Sequence, residues 1–446
     1  MQELIQKYDV PVPRYTSFPT VPAWKTENFS SEQWQLRVKE AFGTDGEGLS
    51  LYIHLPYCES LCTYCGCNTR ITVNHKVEEP YIQALISEWR QYVALFGQKP
   101  LIREIHLGGG TPTFFSAGHL ATLISAILED AIVHPDHEFS FEGHPNNTEY
   151  EHLETLYNLG FRRVSFGIQD VDYKVQKTIN RVQRVADVVR VTEWARALGY
   201  ESVNFDLIYG LPFQTIRTMS KTMELVGLLQ PNRIAFYSYA HVPWTRPGQR
   251  AYSEQDLPKA EEKRALNDYG HRILTQMGYR CIGMDHFALE TDALWQAEHQ
   301  GQLHRNFMGY TTTQSELLIG LGTSAISDIG TAYAQNVKSV EGYLKQIEEG
   351  GLAVFKGHLM TAKEKEVKQR IINLACTGVI NPDMLADLSA KGLSELDHME
   401  KDGLLEAVDG GYLVTDLGRQ FIRNVCAVFD PYYEGARSNK VFSQAV

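Results

Sequence analysis

Between about residue 50 and residue 245, short apolar runs alternate with longer amphipathic ones, and this alternation limits the folds open to the 446-residue chain. The strand-like runs are Leu51–Leu55, Glu104–Leu107, Glu138–Phe141, Arg163–Ile168, Ser202–Ile208 and Ile234–Tyr239. Apolar residues recur at helical spacing in Pro80–Phe96, His119–Glu129, His152–Leu159, Val185–Leu198 and Ile216–Leu229. Strands separated by such helices need crossover connections, which predicts an α/β fold with a parallel sheet and helices over its outer face. Six units fall short of the eight of a closed barrel, so the expected form is an open, curved partial barrel of TIM-like kind. Its gap would admit a large, flat substrate. Functional residues in such sheets gather where strands end and turn toward their helices.

The flanks differ in pattern. Residues 1–47, with Pro11, Pro13 and Pro19, read as an extended arm followed by a short helix, ahead of a barrel over 48–250. Past that point alternation stops. Glu254–Met277 reads as one long helix, and a glycine-rich mixed stretch follows, making 251–360 a linking region that completes the site. From Thr361 to the end (361–446) the pattern is mainly helical, then Gly403–Thr415 reads as a hairpin with a Gly-Gly turn. Helices followed by such a hairpin suggest a winged-helix-like shape. Acidic residues outnumber basic ones there, which favours substrate cover or domain packing over DNA contact.

The chemistry is announced by four cysteines in ten residues, Cys58-Glu-Ser-Leu-Cys62-Thr-Tyr-Cys65-Gly-Cys67, just past the first strand. Cys58, Cys62 and Cys65 can hold three irons of a 4Fe-4S cube and leave the fourth iron open to a ligand. A zinc site would normally pair a second cysteine or histidine knuckle, and none follows. Cys281, Cys376 and Cys426 stand alone in apolar stretches and read as buried free thiols. No apolar run approaches membrane-spanning length and the N-terminus lacks a signal-peptide core, so the expected location is cytoplasmic, where thiols stay reduced. A net charge of −12 argues against general nucleic-acid binding.

Gly108-Gly-Gly-Thr-Pro112 follows the second strand. Its glycines let backbone approach a ligand closely, which suits an amino-acid-like group chelating the open iron; a tight turn would explain them as well. Tyr64 would lie over the cluster or shield it. Glu142, Gln169, Asp170 and Asp206 fall at or near the ends of later strands, with Arg181 beyond, and read as the wall of a nucleoside-sized pocket.

Together, the three-cysteine loop, the Gly-Gly-Gly-Thr-Pro loop and the six-unit body resemble the radical S-adenosylmethionine (SAM) enzymes. Pro13-Arg-Tyr-Thr-Ser-Phe-Pro19, Cys65-Gly-Cys67, Gly283-Met-Asp-His-Phe287, His304-Arg-Asn-Phe307 and Ile422-Arg-Asn-Val-Cys426 narrow the resemblance to the oxygen-independent coproporphyrinogen III oxidases. That family's activity is oxidative decarboxylation of two propionates of coproporphyrinogen III to vinyl groups, giving protoporphyrinogen IX. The cluster donates an electron to SAM, the resulting 5′-deoxyadenosyl radical takes a β-hydrogen, and the substrate loses CO₂ and one further electron. The resemblance implies two SAM molecules. Tyr52, Tyr64, Gly109 and Glu142 would contact the first; Gly110, Thr111, Gln169, Arg181, Asp206, Ala240 and Ile326 would contact the second. It places Cys67, Tyr52 and Glu142 at the reacting centre, with Cys67 outside the cluster's ligand set, and offers Arg14, Arg305 and His286 to substrate propionates. One departure stands out: family members usually carry an acid two places after the third-strand glutamate, where this chain has His144.

Three other readings compete. A haem chaperone of the same superfamily would lack the N-terminal arm and Cys67. A radical SAM enzyme that opens the haem ring would bind haem as substrate. A plain electron-transfer protein would use four protein ligands. The expected partners are coproporphyrinogen III and a reductant and electron acceptor that the sequence does not identify, with no nucleic acid, no membrane and a monomeric state.

Overall fold

A computed structural model describes residues 4, 7–42 and 48–433. Both ends of the chain and the stretch 43–47, which bound the expected arm and C-terminal domain, lie outside the described residues. The chain forms two compact units. The larger takes in 25–278 and 315–359; the smaller takes in 1–24, 279–314 and 360–446. The stretch 251–360 is therefore shared between them.

The larger unit contains the expected sheet. Its strands are β1 (Leu49–Leu55), β2 (Leu101–Gly109), β3 (Ile132–Gly143), β4 (Phe161–Gln169), β5 (Ser202–Tyr209) and β6 (Arg233–Ser238). They lie side by side in chain order, each parallel to the next. Leu51, Ile53, Leu55, Ile105, Leu107, Phe141, Val203 and Phe205 are wholly buried, and polar side chains alternate with them on the opposite, inner face, as the pleat requires. The helix Glu78–Phe96 starts two residues before the expected Pro80, because proline is tolerated in a first turn whose N–H groups have no intrahelical partner anyway.

Two elements differ from the sequence pattern. The helix expected over Glu254–Met277 is confined to Ala260–Gln276; Pro258 disfavours helical backbone at Leu257, and Glu254–Asp256 is a separate turn capped by Ser253. The glycine-rich stretch also extends the sheet beyond β1. Leu318–Leu321 pairs parallel with β1, and Ile326–Asp328, Ala332–Asn336 and Val354–Leu359 follow antiparallel. Buried Glu88 fastens this extension to the helix Glu78–Phe96, accepting from Gly322 N–H (2.8 Å), Tyr343 O–H (2.7 Å) and Asn336 Nδ2 (2.7 Å).

In the smaller unit the N-terminal arm forms part of a core. Tyr8, Val12, Tyr15 and Phe18 pack with Ile371, Leu374, Leu396 and Val425. Arg423 Nε donates to Pro13 O (3.1 Å) and Asn424 Nδ2 to Tyr8 O (2.8 Å), which gives the Ile422–Cys426 motif a bracing role. The hairpin pairs Leu405–Val408 with Gly411–Val414, and Val379–Ile380 adds a third strand. Its turn is Asp409-Gly410, both at positive φ, in place of the expected Gly-Gly. Cys376 and Cys426 are buried and Cys281 is half-buried; burial pushes the Cys281 and Cys376 thiols up to about 12.

Candidate active site

The inner face of the sheet carries a row of polar side chains set by register. Tyr52 of β1 lies opposite His106 of β2, and His106 opposite Ser140 of β3. The Tyr52 and His106 rings stack at 6.1 Å and 18°. His54 Nε2 donates to Asn68 O (2.8 Å), so Nδ1 is the bare nitrogen that accepts from Tyr52 O–H at 3.0 Å. Burial holds His54 below the usual histidine range, which keeps this tautomer neutral.

Glu142 ends the row. Burial pushes its carboxyl up, but contact with His106 (3.4 Å) and the Gly109 N–H (3.3 Å) outweighs it, and the net shift is downward. His106 Nδ1 pairs with Ser140 Oγ at 2.8 Å, leaving Nε2–H for Glu142. Beyond β3, His144 is held well below its ordinary value by burial and by Arg181, so a neutral ring stands at the departure from the family pattern.

The Gly-Gly-Gly-Thr-Pro loop is dictated by close approach. At Gly109, with φ +111°, an added Cβ would sit 2.5 Å from the His54 ring; at Gly110 it would sit 2.6 Å from Pro56 O. This packing lets Thr111 N–H reach Tyr57 O (3.0 Å) and its hydroxyl reach Cys58 Sγ (3.3 Å). The sulfurs of Cys62 and Cys65 also have donors beside them. Arg181 Nη1 lies 3.5 Å from Cys62 Sγ, and the Cys67 N–H 3.4 Å from Cys65 Sγ.

Each of the three sulfurs thus faces at least one donor: Thr111 at Cys58, Arg181 at Cys62 and Cys67 at Cys65. Sulfurs that carry thiolate charge on a cluster need such donors, so the donor set fits a 4Fe-4S group. Among the described residues no three His, Cys, Asp or Glu side chains converge as they would around a single ion. Cys67 is exposed; hydrogen bonding from its thiol is the main cause that lowers Cys65 to about 6.

Farther along the sheet, Asp206 accepts from Ser165 Oγ (3.1 Å) and Asn204 Nδ2 (2.8 Å). Gln169 sits at φ +65° with its Oε1 buried and unpartnered. Arg181 Nη2 donates to Gly167 O (2.6 Å), while its Nε is buried without a partner. Gln249 Nε2 reaches Ala240 O (3.2 Å) and Tyr64 O (3.1 Å), and the Tyr64 ring packs on Val175, Ile179 and Tyr252. Ile326 pairs with Gln335. Asp170 leaves the pocket wall read from sequence: it is fully buried, accepts from Gln214 Nε2 and the Asp172 N–H (2.7 Å each), and burial raises it to about 6.

In the smaller unit Arg14 and His286 both pair with Asp285, the latter at 2.7 Å. Arg305 stacks 4.4 Å from the Tyr310 ring, with Nε and Nη1 buried and unpartnered. Sequence reasoning passed over Asp285, and also His54 and His106. Period two in β1 puts His54 on the same face as Tyr52, but the spacing does not tell which partner the ring meets.

The radical SAM superfamily model matches residues 52–226. Over 451 residues the chain is 37% identical to the oxygen-independent coproporphyrinogen III oxidase of Escherichia coli (strain K12), covering 99% of this chain and 98% of that one. To the enzyme of the same name from Synechocystis sp. it is 36% identical over 456 residues, covering 100% and 97%. The chain belongs to the oxygen-independent coproporphyrinogen III oxidase family. A solved structure of coproporphyrinogen III oxidase from Escherichia coli superposes with a TM-score of 0.89, at 35% identity, covering 97% of this chain and 99% of that one. Membership of the radical SAM superfamily brings a 4Fe-4S cluster and SAM, and no helix among the described residues is long and apolar enough to cross a membrane.

Proposed function

We propose that this protein converts two propionate side chains of coproporphyrinogen III to vinyl groups, giving protoporphyrinogen IX. The observation that carries this reading is end-to-end similarity to coproporphyrinogen III oxidases, joined to three cysteines whose sulfurs each meet at least one donor. When bound, the reduced cluster and SAM supply a hydrogen-atom abstractor for the propionate β-carbon. Each propionate then loses CO₂ and one further electron, which an external acceptor takes.

The chain's own residues position these partners. Cys58, Cys62 and Cys65 are the cluster ligands in this reading, and Thr111, Arg181 and the Cys67 amide steady their charge. Tyr52, Tyr64, Gly109 and Glu142 hold a first SAM. The anionic Glu142 suits its ammonium or ribose, and the neutral His144 adds no second negative charge. Gly110, Gln169, Arg181, Asp206, Ala240 and Ile326 hold a second SAM. The unpartnered Gln169 Oε1 and Arg181 Nε are the groups with bonding capacity to spare, and Asp206 suits ribose hydroxyls. Thr111, counted with the second SAM from sequence, has its hydroxyl directed at Cys58. Cys67, exposed and with its thiol bonded to Cys65, is the cysteine left to face substrate. Of the Asp285 cluster, Arg305 retains N–H groups for a propionate carboxylate.

Anaerobic incubation with SAM, dithionite and coproporphyrinogen III, followed by product analysis, tests the proposal. Protoporphyrinogen with two equivalents of CO₂, deoxyadenosine and methionine as co-products is expected. Stable haem binding without SAM-dependent CO₂ release would instead identify a haem carrier.

A further inference from the structure

The inner face of the sheet is layered, and the layer beneath Glu142 gains a role that rests on the reading of Glu142 as a SAM contact. Glu142 stands at the mouth with its side chain 43% exposed. His106, 20% exposed, lies one layer down on the neighbouring strand β2, opposite Ser140. Three contacts fix the His106 ring: Ser140 Oγ holds Nδ1 at 2.8 Å, Tyr52 stacks on it, and Nε2 meets Glu142 Oε1 at 3.4 Å. The Gly109 N–H takes the other carboxylate oxygen, Oε2, at 3.3 Å. Each oxygen therefore accepts one bond from the protein and keeps lone-pair capacity for a ligand.

Gly108 shows that the fold keeps this contact clear. An added Cβ there would lie 3.0 Å from Glu142 Oε1 and 3.2 Å from His106 Nε2. Gly109 needs its positive φ, but Gly108 has none, so backbone conformation does not explain the first glycine of the loop. Room between imidazole and carboxylate does. The other acid at the mouth is held in the same manner, since Asp206 accepts from Ser165 and from Asn204, two residues back on its own strand.

We propose that His106 is a positioning residue for SAM: it holds the Glu142 carboxylate in the rotamer that meets the ligand, without touching the ligand itself. A glutamate left to solvent samples several rotamers and loses that freedom on binding. One already held by two donors has lost it beforehand, so binding costs less. Charge acts in the same sense. Burial raises the Glu142 carboxyl, and the His106 contact is the largest of the causes that outweigh it and keep the group anionic.

The test is a double-mutant cycle on cluster-loaded protein. SAM affinity is measured by anaerobic equilibrium dialysis against labelled SAM, and turnover with dithionite and coproporphyrinogen III. H106L keeps a comparable volume and removes the donor; E142Q removes the charge of the acceptor. H106L should bind SAM about tenfold more weakly, with KM for SAM raised and kcat at saturating SAM retained. H106Q, which keeps an N–H, should restore most of the affinity. Because His106 acts through Glu142, H106L should weaken binding no further in the E142Q background. S140A releases Nδ1 and should show the same split at about threefold, and it carries the test if H106L does not load its cluster. H106L affinity equal to that of the wild type, or an equal loss in both backgrounds, would overturn the positioning role alone. An E142Q variant that binds SAM as the wild type does would instead overturn the assignment of Glu142 to SAM beneath it.

Discussion

Thr111 offers a way to separate two roles that share one residue. Its family position counts it among SAM contacts, but its hydroxyl lies 3.3 Å from Cys58 Sγ. Thr111→Val keeps the shape and removes the donor. A hydrogen bond to a charged acceptor contributes about 1.5–3 kcal/mol. Only the part that differs between oxidised and reduced cluster counts, because the reduced form carries one more negative charge. Taking that part as about 1 kcal/mol, and 59 mV per factor of ten for one electron, the potential should fall by about 40 mV. The assay is an anaerobic redox titration followed by electron paramagnetic resonance, with SAM affinity measured in parallel. A downward shift with SAM affinity preserved supports the contact to Cys58. An unchanged potential with weakened SAM binding would refute it.

Other outcomes follow from the same geometry. Serine at Cys58, Cys62 or Cys65 should abolish the cluster absorbance near about 400 nm and all turnover, whereas Cys67→Ser should retain the absorbance and lose turnover; cluster loss in the latter would overturn the ligand assignment. Gly110→Ala places a methyl 2.6 Å from Pro56 O, so calorimetric melting should show a loss of about 1–3 kcal/mol. Glu88→Gln faces the Asn336 amide donor with another donor, or else gives up Gly322 and Tyr343, at a cost of about 1–3 kcal/mol. Burial raises Glu88 from 4.5 to about 7. Its contribution to stability is therefore greatest below the lower value and is lost as pH rises to the upper one, by about 3 kcal/mol. Glutamine cannot titrate, so the gap in melting temperature between wild type and variant should narrow from pH 5 to pH 8; a constant gap would show that Glu88 does not titrate in that range.

The six-strand body was legible because each strand buries one face against a helix, which leaves a periodic record in residues such as Leu51, Ile53 and Leu55. The four strands that extend β1 were not. Leu318–Leu321 and Ala332–Asn336 are short, the first carries Gly320, and Gly322 and Asn336 at their ends are tied to Glu88, far away in sequence. Within the site, the cysteines and glycines could be read because spacing alone defines them. His54 and His106 could not, since a histidine in a strand looks the same whether it meets water or a tyrosine. Asp170 misled for the opposite reason: its place at a strand end suggested a ligand group, but Gln169 at φ +65° turns the chain so that the next side chain points into the core.

The donors around the cysteine loop have a consequence for how the protein is made. The four thiols leave the ribosome within ten residues of one another, but their partners do not. Thr111 follows Cys58 by about fifty residues, and Arg181 and Asn180, which hold Cys62 and Leu61, come more than a hundred later. Iron delivered to the nascent loop would meet thiolates with no fixed geometry, so productive cluster insertion waits for the first four strands and the turn beyond them. Substitutions at Arg181 or Asn180 should therefore appear in cells as protein that accumulates without its cluster, a defect of maturation that assays of purified, reconstituted enzyme would conceal.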